Sequence, residues 1–287
     1  MGPFNRYLAV DWTGAAGPRH RAIQVAALDH DGAAPVLIDC PDGRAWGRVQ
    51  LLDWLHRGGA GAGAVIAFDF SFAAPFFDRG AYFPGTDWQA RTMRSLWAEV
   101  AARAAADPHL QCTNLFADPA FSGQFRQVGG PKLPDYRRFR KTELAWNRPG
   151  VPRAESFFHL IGATQVGKGS LCGMRFLHAL TGRPDVAVWP LDSRPKALTI
   201  VELFTRICLV NAGVGAKKVT DWDCLNAALA ALNCGPMAPT GPLTDHAADA
   251  LISAAFLRNA TQTPAYWSPS GLTRKVAEVE AWVFGVR

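Results

Sequence analysis

Residues 64–68, AVIAF, form an unbroken apolar run behind a Gly-rich lead-in, and the run stops on a carboxylate, Asp69. A strand with no polar alternation has to be covered on both faces, which places it at the centre of a sheet with helices on either side. An acid at the end of such a strand is out of character with what precedes it. The same pattern occurs near the N-terminus, where YLAVDWTGA (7–15) climbs to Asp11 and then stops on Thr13 and Gly14.

The flanking sequence supplies the rest of such a sheet. Runs at 6–12, 21–28 and 34–39 are β-like, with DHDG as hairpin chemistry before the third, and read as an antiparallel meander. Residues 43–57 put Trp46, Val49, Leu52 and Leu55 at helical spacing. A helix is expected over 88–106. From 112 to about 185 the chain becomes rich in Pro, Gly and aromatic residues and carries a basic knot, PDYRRFRK (134–141). This stretch reads as an insertion or cap, closed by a helix at 170–181 with Ser170 as its N-cap. VAVWPLD (186–192) and ALTIVELF (197–204) restore the strand pattern, the second carrying Glu202, and helices are expected at 219–233, 244–259 and 272–283. The expectation is one α/β domain over 1–287, a mixed sheet flanked by helices with an inserted helical and loop region at 112–185.

Composition narrows the class. Hydrophobic residues make up 49% and charged residues 19%, which suits a globular core and excludes wholesale disorder. No run approaches the roughly 20 apolar residues of a membrane helix. The N-terminus lacks a basic start followed by a long apolar stretch, so no secretory signal is expected. The six cysteines are scattered without a Cys-x-x-Cys pair and read as reduced thiols of a cytoplasmic protein. A net charge of +6 is compatible with a polyanionic partner and does not require one.

Asp11, Asp69 and Glu202 each stand at or near the end of an apolar run, and Asp249 sits in HAADALISAAFL, a helix otherwise of core residues. Burying an ionised carboxylate costs several kcal/mol, and several together raise one another's pKa. A divalent cation with hard oxygen ligands, Mg²⁺ or Mn²⁺, removes both penalties. Each acid also has a plain alternative. Asp11 precedes a Thr-Gly turn, Asp69 is placed to cap or pair with an Arg, and Asp245 lies in a helix first turn where the macrodipole favours it.

The pieces AVDWTGA, VIAFDFSFAAP, IVELFTR, DHAADALISAAF and VEAWVFGV resemble the domain-of-unknown-function family 429, whose members are predicted nucleases of the ribonuclease H-like superfamily. The resemblance implies a five-stranded mixed sheet and a two-metal site for Mg²⁺ or Mn²⁺ hydrolysing the phosphodiester bonds of DNA or RNA. It makes Asp11 the first-strand ligand, Asp69 the fourth-strand acid that bridges the ions, and Glu202 the fifth-strand acid. His246 and Asp249, three apart on one helix face, would be the helix pair. Asp245, one turn before Asp249, remains an alternative ligand to His246. Asp11, Asp69, His246 and Asp249 are thus the expected catalytic residues, and Asp11, Asp69, Glu202, Asp245 and Asp249 the expected metal ligands. Holliday-junction resolvases of that superfamily, which carry a similar late helix, are dimers, so a homodimer is one assembly the resemblance allows. The sequence departs from the family after Asp69, where Phe70 and Ser71 follow and the proline comes only at Pro75.

Arg137, Arg138, Arg140 and Lys141 are interleaved with Tyr136 and Phe139, a mixture suited to a nucleic-acid backbone and equally to a solvated loop. GATQVGKGS (162–170) approaches a phosphate-binding P-loop but has Gly169 where Ser or Thr is required, leaving Lys168 as a possible phosphate contact. Two rival classes stand beside the nuclease: a ribonuclease H-like binding module without chemistry, and an actin-like ATP-binding protein, since AVDWTGA is similar to that clan's first phosphate loop. The latter needs a second such domain, and no internal duplication is visible.

Overall fold

The computed structural model describes residues 4–130, 136–162, 165–215 and 217–287. The meander is present as β1 (Arg6–Asp11), β2 (Gln24–Asp29) and a two-residue β3 (Val36–Leu37), followed by α1 (Arg48–His56) and β4 (Ala64–Phe68). Next come α2 (Met93–Arg103), the short α3 (Pro119–Ser122) and α4 (Lys141–Trp146), and then α5 (Val166–Leu180). β5 (Val186–Val188) and β6 (Leu198–Glu202) complete the sheet. They are followed by α6 (Thr205–Asn211), α7 (Trp222–Ala231), α8 (Asp245–Thr261), α9 (Pro264–Trp267) and α10 (Arg274–Val279).

Among the described residues these strands make one sheet of six, in the order β3-β2-β1-β4-β6-β5. β1 is antiparallel to β2 and parallel to β4, and β4 and β6 continue in parallel. The resemblance implied five strands; the sixth is β5, from the strand-like run at 186–192, which pairs in parallel with the outer side of β6. The apolar run at 64–68 is the buried strand anticipated for it, flanked by β1 and β6 and covered on both faces.

Strand alternation sorts the core into two layers. Leu8, Val10, Ile66 and Phe68 face α1, α2 and α5, whereas Tyr7, Ala9, Val65 and Ala67 face α6, α7 and α8. α5 therefore belongs to the helical layer rather than to a cap, which shortens the inserted region expected at 112–185. It also begins earlier than expected. Ser170 is an interior residue whose hydroxyl donates to the Val166 carbonyl at 2.8 Å and accepts from Ser71 N at 3.0 Å. The GKG of the near P-loop is thus helix from Val166 onward; Ala163 and Thr164 lie outside the described residues.

Two other helices are shorter than their periodicity. α2 starts at Met93 because Thr92 and Ser95 cap each other, Thr92 Oγ1 accepting from Ser95 N at 3.2 Å and Ser95 Oγ from Thr92 N at 3.0 Å. α10 ends at Val279, and Ala281 takes a left-handed conformation (φ 58°), so the last residues leave the helix and lie beside β6. No helix among the described residues is long and apolar enough to cross a membrane.

The loop after β1 is fixed by close approach to α5. Trp12 Nε1 donates to the Gly169 carbonyl at 2.9 Å, and a methyl group on Gly14 would stand 2.4 Å from both Gly169 N and Lys168 C. From the other side the buried Arg48 donates to the carbonyls of Thr13 and Ala15, each at 3.0 Å, and of Gly17 at 3.3 Å. Thr-Gly ends this strand because only Gly lets the turn lie against the helix backbone. Gly14→Ala should therefore cost about 1–3 kcal/mol in urea unfolding. Gly182→Ala, where an added Cβ meets nothing within 4 Å, should be close to neutral. Equal effects of the two would show that the contact is not tight.

Candidate active site

Parity decides which acids meet. Asp11 has the parity of Tyr7 and Ala9, and Asp69 that of Val65 and Ala67, so both leave their strands on the α8 side. The pairing of Val10 with Phe68, carried on by one residue, sets Asp11 beside Asp69 across neighbouring parallel strands, and Asp69 N donates to the Val10 carbonyl at 3.2 Å. α8 delivers the remaining groups. Thr244 caps it, Oγ1 accepting from Ala247 N at 3.1 Å, and its first turns present Asp245, His246 and Asp249.

Each acid except Asp249 has a defined polar partner. His246 Nδ1 lies 2.6 Å from Asp11 Oδ2, and Asp11 Oδ1 accepts from Trp12 N at 3.1 Å. Asp69 Oδ2 accepts from the Thr205 hydroxyl at 2.7 Å, with Thr205 N donating to Oδ1 at 3.4 Å. Asp245 is ion-paired with Lys218.

Electrostatics separates the four carboxylates. Burial, reinforced by the charge of Asp11, pushes Asp69 up to about 7. Burial and then the charges of Asp11, Asp69 and Asp245 push Asp249 up to about 7 as well. Asp11 is raised by burial in spite of the His246 hydrogen bond, and that bond raises His246 in turn. Asp245 is lowered, chiefly by its hydrogen bond from Lys218. Of the three deep acids, Asp11 is answered by His246, while Asp69 and Asp249 face no cation partner among the described residues.

All of these groups line one cavity of about 890 Å³. Cations share it: Arg153 and Lys168 from the stretch before α5 and its first turn, Arg206 from α6, and Lys217 and Lys218 from the loop that follows. The donor chemistry suits a hard divalent ion, since carboxylate oxygens held near neutral titration gain most from an added positive charge. The positions do not yet form a cage. Among the described residues no group of three or more His, Cys, Asp or Glu side chains stands in metal-ligating geometry. Asp11 is held by His246 and Asp69 by Thr205, so Asp11, Asp69 and Asp249 would have to draw together around an ion.

Glu202 is not part of this cluster. It has the parity of Leu198 and Ile200, which face the other layer. There it accepts from Phe72 N at 2.8 Å and forms a buried ion pair with Arg140. The expectation of Glu202 as a metal ligand is corrected on that ground: both carboxylate oxygens are committed to internal donors.

The basic knot is corrected in part for the same physical reason. The chain at 136–141 alternates, so Tyr136, Arg138 and Arg140 are buried while Arg137 and Lys141 are exposed. Arg138 bonds to Asp78 and to the carbonyls of Pro75, Ala81 and Tyr82, and Arg140 bridges Glu143 and Glu202. Neither guanidinium is free for a phosphate. Arg137 packs on Tyr136 and Lys141 lies over Phe77; of the five expected nucleic-acid contacts, only Lys168 is a partly exposed cation on the cavity wall. Pro134 and Asp135 of that motif lie outside the described residues. The partners that motif reading missed are Thr205, Arg206, Lys217 and Lys218. Thr205 and Arg206 belong to IVELFTR, where a Thr just past a strand-end acid was the available signal.

Compared with protein-family models, curated proteins and solved structures, the chain gives no match.

Two outcomes follow. Between about pH 4 and pH 7 the folded chain keeps on Asp249 a proton that the unfolded chain has released, so this group lowers stability as pH rises through that window. Without divalent ions, Asp249→Asn should then stabilise the protein by about 2 kcal/mol at pH 8 and change little at pH 4. A dry site would give roughly twice that, reduced here by partial exposure. Thermal melts across pH measure it, and a pH-independent difference would contradict the assignment. Arg140→Met should cost about 3–5 kcal/mol in urea unfolding, because it strands two acids on the inner side of the fold.

Proposed function

We propose that this protein is a metal-dependent nuclease on a ribonuclease H-like core, hydrolysing phosphodiester bonds of DNA or RNA. The observation that carries the reading is the convergence of Asp11, Asp69 and Asp249 from β1, β4 and α8, two of them pushed up to about 7, in a cavity that also holds exposed cations. The meander followed by parallel strands, with acids leaving the ends of β1 and β4 on one face, supports the fold half of the proposal.

In this reading Asp11, Asp69 and Asp249 hold Mg²⁺ or Mn²⁺, with Asp245 or His246 as the further helix ligand. Bound there, such ions acidify an attacking water and neutralise the oxygen that leaves. Thr205 positions Asp69 through its 2.7 Å hydrogen bond. His246, about half exposed and 2.6 Å from Asp11, is placed to hold or pass a proton at Nδ1. Lys168, Arg206 and Lys217 supply positive charge for the phosphates that flank the cleaved bond. Asp245 and Lys218 neutralise each other at the rim and leave the net charge of the floor to the three deeper acids.

Mn²⁺ titrated into the protein in a calorimeter should bind at millimolar metal or below. Asp69→Asn and Asp249→Asn should lose that binding while remaining folded, and Glu202→Gln should keep it. Cleavage of a nucleic-acid substrate should stop with EDTA and in Asp69→Asn. Retained metal-dependent cleavage in Asp69→Asn, or no Mn²⁺ binding by the wild-type protein, would overturn the reading.

A further inference from the structure

The shape of the cavity says which form of nucleic acid reaches the acids; this inference rests on the nuclease reading above. We propose that the cleft takes unpaired nucleotides, a single strand or a frayed end, and not an intact duplex. Its volume of about 890 Å³ is that of a pocket, within the roughly 300–1,000 Å³ typical of sites that enclose small molecules. A duplex is a stiff rod whose groove floors are base edges and whose phosphates lie on its convex outside. An enclosing pocket takes in a flexible strand more readily than it takes in such a rod.

The lining matches what a single strand offers. Single-strand sites combine cations that follow the backbone with aromatic faces on which bases stack. Two partly exposed aromatic rings stand on the cavity, Phe116 from the stretch before α3 and Phe204 at the start of α6. Lys168 Nζ lies 5.7 Å from the centre of the Phe116 ring, so one charge and one stacking face are adjacent. Arg153, Arg206 and Lys217 add backbone contacts from both stretches of chain. Trp12 and Phe70 also touch the cavity, but they are buried and packed against Phe68 and Phe176. Phe116 and Phe204 are the faces that remain for bases.

The test is fluorescence anisotropy with a short labelled single strand, the same sequence as a blunt duplex, and unlabelled inorganic phosphate and mononucleotide as competitors, all in EDTA so that cleavage does not interfere. The single strand should bind at least tenfold tighter than the duplex. Phe204→Ala should weaken it on the order of tenfold, as expected for loss of one stacked base. Lys217→Gln should lower the slope of log K against log salt by about 0.7, as loss of one phosphate contact does in a single strand. Phe116 also packs against Phe121 and Phe125, and Phe204 against Trp146, so both alanine variants are read beside a thermal melt, and the single-strand to duplex ratio carries the conclusion. Equal or tighter duplex binding would overturn the inference and leave the nuclease reading standing. Mononucleotide that displaces the labelled strand as well as the unlabelled strand does would replace both with a small phosphorylated substrate. Loss of Mn²⁺ binding in wild type would be a failure of the nuclease reading, distinct from either.

Discussion

Two carboxylates leave neighbouring parallel strands one residue past their last pairing and point to the same face. That juxtaposition of Asp11 and Asp69 is the constraint around which the site is built. Burial raises both above the usual carboxylate range, and the charge of Asp11 raises Asp69 further. α8 could have relieved the charge with a cation but brings Asp249, a third acid, and answers only Asp11, through His246. Lys218 neutralises Asp245 at the rim and leaves the floor untouched. A fold that wanted stability alone would have placed apolar side chains at these positions. An added divalent ion is the simplest species that turns the repulsion into binding energy, and this links the electrostatics to the proposed chemistry.

Much of the sheet was legible in the chain. Gly-rich punctuation and short alternating runs located β1 to β4, and the unbroken AVIAF run identified a strand covered on both faces. Caps and edges were harder. The start of α2 depends on a reciprocal Thr92–Ser95 bond that competes with an apolar pattern extending further back. The end of α10 depends on one residue, Ala281, adopting a left-handed backbone that its side chain gives no hint of. VAVWPLD was legible as a strand-like run, but only its first three residues pair, where β6 offers a parallel edge.

The site was legible to the extent that parity was. Asp11 and Asp69 could be grouped because each ends an apolar run, but ALTIVELF is apolar on both faces and gives no local sign of which way Glu202 points. Only the register of β6 on β4 settles that it faces Arg140. The knot at 134–141 misled for a related reason. An extended segment alternates inside and outside, so consecutive arginines in sequence become one internal group and one external group, and the internal pair is spent on Asp78, Glu143 and Glu202. Charge in sequence counts residues; charge available to a ligand depends on which side of the backbone they leave.

The near P-loop shows the converse, a motif whose glycines matter for another reason. Gly167 and Gly173 let α5 lie against Phe157 and Phe70, and Gly14 lets the strand-end turn meet the helix at Lys168 and Gly169. These contacts hold one wall of the cavity at a fixed distance from the acids on its floor. The acids and the wall come from different parts of the chain, so a change in one need not disturb the other. In the proposed reading, changes at Asp11, Asp69 or Asp249 would act on the ions the site is proposed to hold. In that reading, changes at wall residues such as Lys168, Phe204 or Lys217 would act on what can be brought to them. The same tight packing that excludes a side chain at Gly14 therefore sets how much room the cavity has beside Asp11.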